Sequence, residues 1–155
     1  MLLHFSDRRN FATGASRYLY EPATQGENTN RILVRVDFEG ILTEAVLDTG
    51  APYVVCTPWL ARALGFVPSA ALERTRILIR GHWTSGEIHR VTLTFPGERG
   101  EKLILDATAF VPDAASDPEE QPFPSFIGLA GCLERMRFAI DPLDDMFYFG
   151  ALNQD

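Results

Sequence analysis

The chain has 155 residues, 46% of them hydrophobic, with 14 Lys and Arg against 21 Asp and Glu, giving a net charge of −7. That length predicts one domain with a sizeable core, and the acidic balance argues against nucleic acid or an anionic membrane as the main partner. No stretch reaches the roughly 20 apolar residues of a membrane span, and two cysteines, Cys56 and Cys132, make no disulfide framework.

Residues 1–30 read as an arm and linker ahead of a folded domain over 31–155. Leu2, Leu3 and Phe5 are followed at once by charge, so Met1 to Asn10 does not read as a signal peptide, and a cytoplasmic location is expected. Arg17-Tyr18-Leu19-Tyr20 is a candidate extra strand, and Gln25 to Asn30 is polar. From Arg31 the pattern becomes regular. Ile32, Val34, Val36 and Phe38 alternate with Leu33, Arg35 and Asp37, the period of a half-buried strand. Glu39-Gly40 suits a two-residue hairpin turn, and the return strand, Ile41 to Leu47, ends at Asp48. Asp48-Thr49-Gly50-Ala51 then interrupts an apolar run that resumes as Tyr53-Val54-Val55. Asp-Thr-Gly is ordinary turn chemistry, because Asp bonds its own backbone and Gly tolerates positive φ. Its flanks give it a second meaning. A carboxylate between two buried apolar segments must be hydrogen-bonded, paired or neutralised, since an unpaired buried charge costs several kcal/mol.

Thr57 is a good N-cap, Pro58 suits the first helical position and Gly65 the C-terminal cap, which predicts a short helix between them. Arg76 to Phe95 reads as a long hairpin with Gly81-His82-Trp83-Thr84-Ser85-Gly86 between its arms. Pro96 to Gly100 is a turn and Lys102 to Val111 a strand. Pro112 to Pro124, acidic and proline-rich, reads as a solvated loop. Ser125 to Gly128 is a buried strand, and Leu129, Cys132, Leu133 and Met136 recur at the spacing of one helix face. Phe138 to Ile140 and Met146 to Phe149 flank a polar turn and predict a terminal hairpin. The cysteines sit in apolar settings that favour buried free thiols, with a disulfide between them left open. His4, His82 and His89 have no metal spacing; His82 and His89 read as strand-surface residues. There is no phosphate loop, nucleophile elbow or EF-hand pattern, so neither metal nor cofactor is expected.

Leu47-Asp48-Thr49-Gly50-Ala51, followed downstream by Phe126-Ile127-Gly128 and an expected helix, resembles the active-site elements of the retropepsin-like (retroviral-type) single-domain aspartic proteases, over roughly residues 30–150. The resemblance implies an all-β fold with one or two short helices, a closed acid-protease barrel. It implies an aspartic endopeptidase that cleaves peptide or protein substrates bound in extended form. One Asp-Thr-Gly in a half-length chain implies an isologous homodimer, with one Asp48 from each protomer activating a water. Asp48, Thr49 and Gly50 are then the catalytic residues, with Ala51, Gly81, Trp83, Gly86 and Ile127 at the substrate. Gly81 to Gly86 corresponds by position to the family's mobile flap. Trp83 either stacks on substrate or packs on its own sheet. Met146 to Phe149 is the natural candidate for a dimer strand, or else pairs within its own chain. Where viral enzymes place an Asp after this motif and an Arg after the downstream Gly, this chain has Pro52 and Leu129, so both charges are missing together. A catalytically inactive module of the same fold, serving dimerisation or peptide binding, is the alternative.

Overall fold

The computed structural model describes residues 2–23, 29–113 and 124–153. Their alternating sequences build twelve strands: β1 (Gly14–Arg17), β2 (Leu19–Glu21), β3 (Arg31–Phe38), β4 (Ile41–Leu47), β5 (Val54–Val55), β6 (Glu73–Ile79), β7 (His82–Phe95), β8 (Arg99–Gly100), β9 (Leu103–Pro112), β10 (Phe126–Ile127), β11 (Met136–Asp141) and β12 (Met146–Ala151). One α-helix, α1 (Pro58–Leu64), lies between β5 and β6. Eight strands form a sheet in the order β2-β3-β4-β10-β5-β9-β7-β6, and a further pairing of β3 with β7 closes six of them into a barrel. The other four form a second sheet, β11-β12-β1-β8.

The alternation decides what fills the barrel. Val34, Val36 and Phe38 of β3 are fully buried and meet Ala45 of β4, Leu93 and Phe95 of β7 and Ala109 of β9 in one cluster. The second sheet caps that interior. Phe147 and Phe149 of β12 reach Phe95 at ring separations of 5.9 Å each. A fully buried Phe contributes about 2–3 kcal/mol of transfer free energy, so this trio joins the two sheets firmly. Cys56 and Cys132 are buried as free thiols, and burial pushes both up to about 12.

Local signals account for the turns. Glu39 and Gly40 both have positive φ, as a tight hairpin turn requires, and Asp37 Oδ1 accepts from the Gly40 N–H at 2.8 Å. Helix α1 starts with the Leu60 N–H donating to Thr57 Oγ1 at 3.1 Å and stops at Gly65 in the left-handed region.

Several expectations are corrected. The apolar spacing from Leu129 to Met136 does not make an α-helix. A turn at 129–132 leads into a single 3-10 turn, Leu133–Arg135, and Met136 already belongs to β11. Gly131 has φ +74°, and Cys132 has φ −140° and ψ −80°, so the helical path is broken there. Met146 to Phe149 cannot add a partner's strand, because β12 pairs with β11 on one edge and β1 on the other. His89 is 2% exposed rather than at the strand surface; its ring lies 4.7 Å from that of Phe66, and Nε2 is 3.0 Å from Glu87 Oε2. Residues 1–30, expected as arm and linker, supply β1 and β2. The strand expected at 17–20 is split at Tyr18, whose N–H donates to the Asp145 carbonyl. Most of the polar run at 25–30 and of the acidic loop at 112–124 falls at 24–28 and 114–123, outside the described residues.

Candidate active site

Strand β4 delivers Asp48 to the end of the barrel, and β10 fixes it there. Strand β10 lies between the two strands that the Asp48 loop joins, parallel to β4 and antiparallel to β5. The Val46 N–H donates to the Ser125 carbonyl at 2.9 Å and the Asp48 N–H to the Ile127 carbonyl at 3.0 Å. Beyond β10, the Leu129 N–H donates to the Ala51 carbonyl at 2.8 Å. Gly128 is required at this crossing, since a Cβ there would overlap the Tyr53 carbonyl oxygen. The loop is thus held on both sides by backbone bonds, which resist deformation better than flexible side chains.

Within the loop, Asp48 Oδ1 accepts from the Gly50 N–H at 2.9 Å, and the Ala51 N–H donates to the Asp48 carbonyl at 3.1 Å. These bonds orient the carboxylate. Asp48 and Ala51 are half-buried, while Thr49 and Gly50 are exposed, leaving the Thr49 hydroxyl open to a partner.

A cleft of about 880 Å³ opens over this loop. Its walls mix apolar and polar groups: Val46, Val55 and Phe126 from the sheet, Ile77, Leu78 and Ile79 from β6, and Phe138 and Ile140 from β11 stand beside Thr29, Asn30 and the Asp48 loop. Arg31 and Arg80 also border it, and Asp48 is the one carboxylate among its described lining residues. A single chain therefore brings one acid to the cleft. Among the described residues no group of three or more His, Cys, Asp or Glu converges to hold a metal ion.

The β6–β7 hairpin overhangs the cleft. Its turn is only Arg80-Gly81, both with positive φ, and His82 to Gly86, expected between the arms, already belong to β7. Period-two alternation then sorts its side chains. Ile77 and Ile79 point down into a cluster with Val55, Ile88 and Phe110, while Arg76 and Trp83 lie on the opposite face. The Arg76 guanidinium sits 5.4 Å from the Trp83 ring, which is 66% exposed and does not line the cleft. Gly81 occupies the hairpin turn. Gly86 lies in β7, where a Cβ would overlap the Val111 carbonyl oxygen, so close packing explains it. Ile127 is fully buried inside the barrel and reaches Asp48 through its carbonyl rather than its side chain.

Of the residues expected at the site, the structure brings together Asp48, Thr49, Gly50 and Ala51 in the cleft and Ile127 beneath it. Sequence reasoning missed Ile77, Leu78, Ile79, Phe126, Phe138 and Ile140 as cleft walls. The alternation of Phe138 with Ala139 marked strand faces, but which face met the cleft depends on tertiary pairing.

No protein-family model matches the sequence, and no curated protein is significantly similar to it. Solved structures do match, 62 chains in all. One is a retropepsin-like aspartic protease from Rickettsia conorii, 19% identical, with a TM-score of 0.51 over 89% of this chain and 95% of that one. At that identity the likeness is one of fold: the chain has a retropepsin-like, mostly β architecture, with one α-helix among the described residues.

Proposed function

We propose that the protein is an aspartic endopeptidase whose active site is completed by a second copy of the chain. The observation that carries this reading is Asp48, a carboxylate oriented by backbone bonds in a cleft that holds no second acid among its described lining residues. Peptide hydrolysis by two acids needs two carboxylates at one water, and a two-fold axis near Thr49 supplies them. Charges that close cannot both ionise easily, so the pair holds one proton between them and titrates as a unit. The ionised Asp48 takes a proton from the bound water as it attacks the peptide carbonyl. The protonated one donates to the carbonyl oxygen, and no covalent intermediate forms. The Thr49 hydroxyl, exposed in one chain, bonds across the axis. The apolar walls receive side chains of an extended substrate, whose backbone pairs as an added strand along the outer edge of β6, the last strand of its sheet.

A peptide carrying a hydroxymethylene group in place of the scissile carbonyl mimics the tetrahedral intermediate and tests this reading. It should bind with one peptide per two chains and lose at least a hundredfold in affinity with Asp48→Asn. Binding of one peptide per chain, unaffected by Asp48→Asn, would favour a peptide-binding module of the same fold.

A further inference from the structure

The charges around the Asp48 cleft run against those of the whole chain. The chain carries a net charge of −7. The described residues that border the cleft hold two guanidiniums, Arg31 and Arg80, no Lys or His, and Asp48 as their one carboxylate. A second copy brings its own two guanidiniums, while the two Asp48 share one proton, so the cations outnumber the ionised acid in the completed site. Charge of one sign in a cleft with low-dielectric walls focuses its field there and raises the local concentration of the opposite sign.

The two arginines come from different elements. Arg31 opens β3 and is half-buried, whereas Arg80 is exposed in the turn of the hairpin that overhangs the cleft. Arg80 is an uncommon residue for that turn. Its φ is +49° and that of Gly81 is +82°, and a two-residue turn with positive φ at both positions favours Asn or Asp before the Gly. The matching turn at Glu39-Gly40 has a local reason for its first side chain, since Glu39 Oε1 accepts from the Thr92 N–H at 3.1 Å. At Arg80 the choice puts a guanidinium at the cleft mouth, a charge that neither Asn nor Asp supplies. Arg31 and Arg80 both take part in other interactions. A guanidinium has five N–H donors in a planar fork, so each can take a carboxylate beside the partners it has. Ile79 precedes Arg80 on β6, which sets apolar surface and positive charge side by side along the cleft.

We propose that the cleft selects acidic peptides, in which apolar side chains rest on its walls and an Asp or Glu side chain meets the Arg80 guanidinium, with Arg31 as the second cation. Arg80 is then a specificity-determining residue. The inference names the substrate class for the reading of Asp48 as a hydrolytic acid and rests on that reading, but charge selection can be measured without hydrolysis.

The test walks a single Glu through an otherwise uncharged apolar peptide, with Gln and Lys at the same positions as references, at about pH 6, where Glu is ionised. The wild type should cleave the best Glu peptide with a kcat/KM about fivefold above that of its Gln counterpart, and the Lys peptide should be cleaved slowest. Arg80→Gln should cut the Glu-to-Gln ratio at least twofold, Arg80→Gln with Arg31→Gln should bring it near one, and Arg80→Glu should favour Lys over Glu. Each ratio is taken within one variant, so a general loss of activity does not imitate the effect. Equal cleavage of Glu and Gln peptides at every position, or a ratio unchanged in the double variant, would overturn the inference and leave the protease reading intact. If no peptide is cleaved, the same ratios are read from calorimetric binding. Tighter binding of Glu peptides that the double variant loses keeps the selectivity and removes the hydrolysis; binding without preference, or no binding, overturns the selectivity too. If the variants fail to fold, salt replaces them. The wild-type ratio should fall at least twofold between about 0.05 and 0.5 M NaCl, because ions screen a pair at an exposed cleft mouth, and a salt-independent ratio would overturn the inference.

Discussion

Substituting Gly128 by Ala attacks the loop that holds the candidate catalytic acid without touching the acid itself. The added Cβ would overlap the Tyr53 carbonyl oxygen and lie 2.8 Å from the Ala51 carbonyl oxygen. Both obstacles are backbone, so no side chain can swing aside, and one segment must shift by about 1 Å or more. The shift strains or breaks the 2.8 Å bond from the Leu129 N–H to the Ala51 carbonyl. Overpacking costs about 1–3 kcal/mol and the lost hydrogen bond about 1 more. A net loss near 3 kcal/mol lowers the Tm of a domain this long by roughly 6–12 °C. Gly50→Ala is the contrasting case. Its Cβ meets only Asp48 Oδ1, at 3.2 Å, and Gly50 is not among the glycines with positive φ, so stability should change by less than about 1 kcal/mol. It pushes on the carboxylate oxygen that accepts from the Gly50 N–H, so kcat/KM should fall at least tenfold. Urea unfolding at one fixed protein concentration, which removes mass-action effects of association, measures the first quantity and peptide cleavage the second. Gly128→Ala with a wild-type midpoint, or Gly50→Ala equally destabilised, would refute the argument that backbone contacts set this loop.

Further expectations can be checked on the same preparations. Burial holds Cys56 and Cys132 neutral well above the ordinary thiol value, so the native protein should resist alkylation at pH 8, with both thiols reacting in denaturant. Because the folded-state values are raised, this stability is complete below about pH 9. It is lost as pH rises towards 12, by about 1.4 kcal/mol per pH unit for each thiol, which urea midpoints across that range would measure. Tyr18 acts in the same direction, since burial and the neighbouring Asp145 raise it. Thr57→Ala removes the hydroxyl that accepts from the Leu60 N–H and should cost about 1 kcal/mol in thermal unfolding. Trp83 stacks on Arg76 and is not among the residues lining the cleft, so Trp83→Ala should change KM less than twofold; a larger rise would place Trp83 against substrate.

Elements specified by near neighbours could be read from the sequence. The alternation of Ile32, Val34, Val36 and Phe38 gave β3 its buried face, Glu39-Gly40 gave the turn, and Thr57, Pro58 and Gly65 bounded α1. Asp48 was legible because an acid among β-branched apolar residues has few physical explanations. What was hidden depends on distant pairings. β1 exists because β12 and β8 flank it, and the barrel closes through Asp37 and Phe38 against Thr94 and Leu93, with the Glu39 N–H donating to the Thr92 carbonyl. The apolar spacing of Leu129 to Met136 imitated a helix, although Gly131, packed against Thr108, could have warned of a break. His89 looked like a surface residue because the Phe66 that covers it lies before β6 in the chain, on the far side of a hairpin arm.

Hydrolysis by Asp48 as one of two acids is the proposal most directly open to test. The most direct measurement is cleavage of a diverse peptide library by wild type and by Asp48→Asn, from pH 4 to 7, with the mass of each determined by sedimentation in the same buffers. Both proteins should be dimers, the wild type should cleave, and Asp48→Asn should not. A verified wild-type dimer that cleaves nothing, or an Asp48→Asn variant that cleaves as well as the wild type, would contradict it.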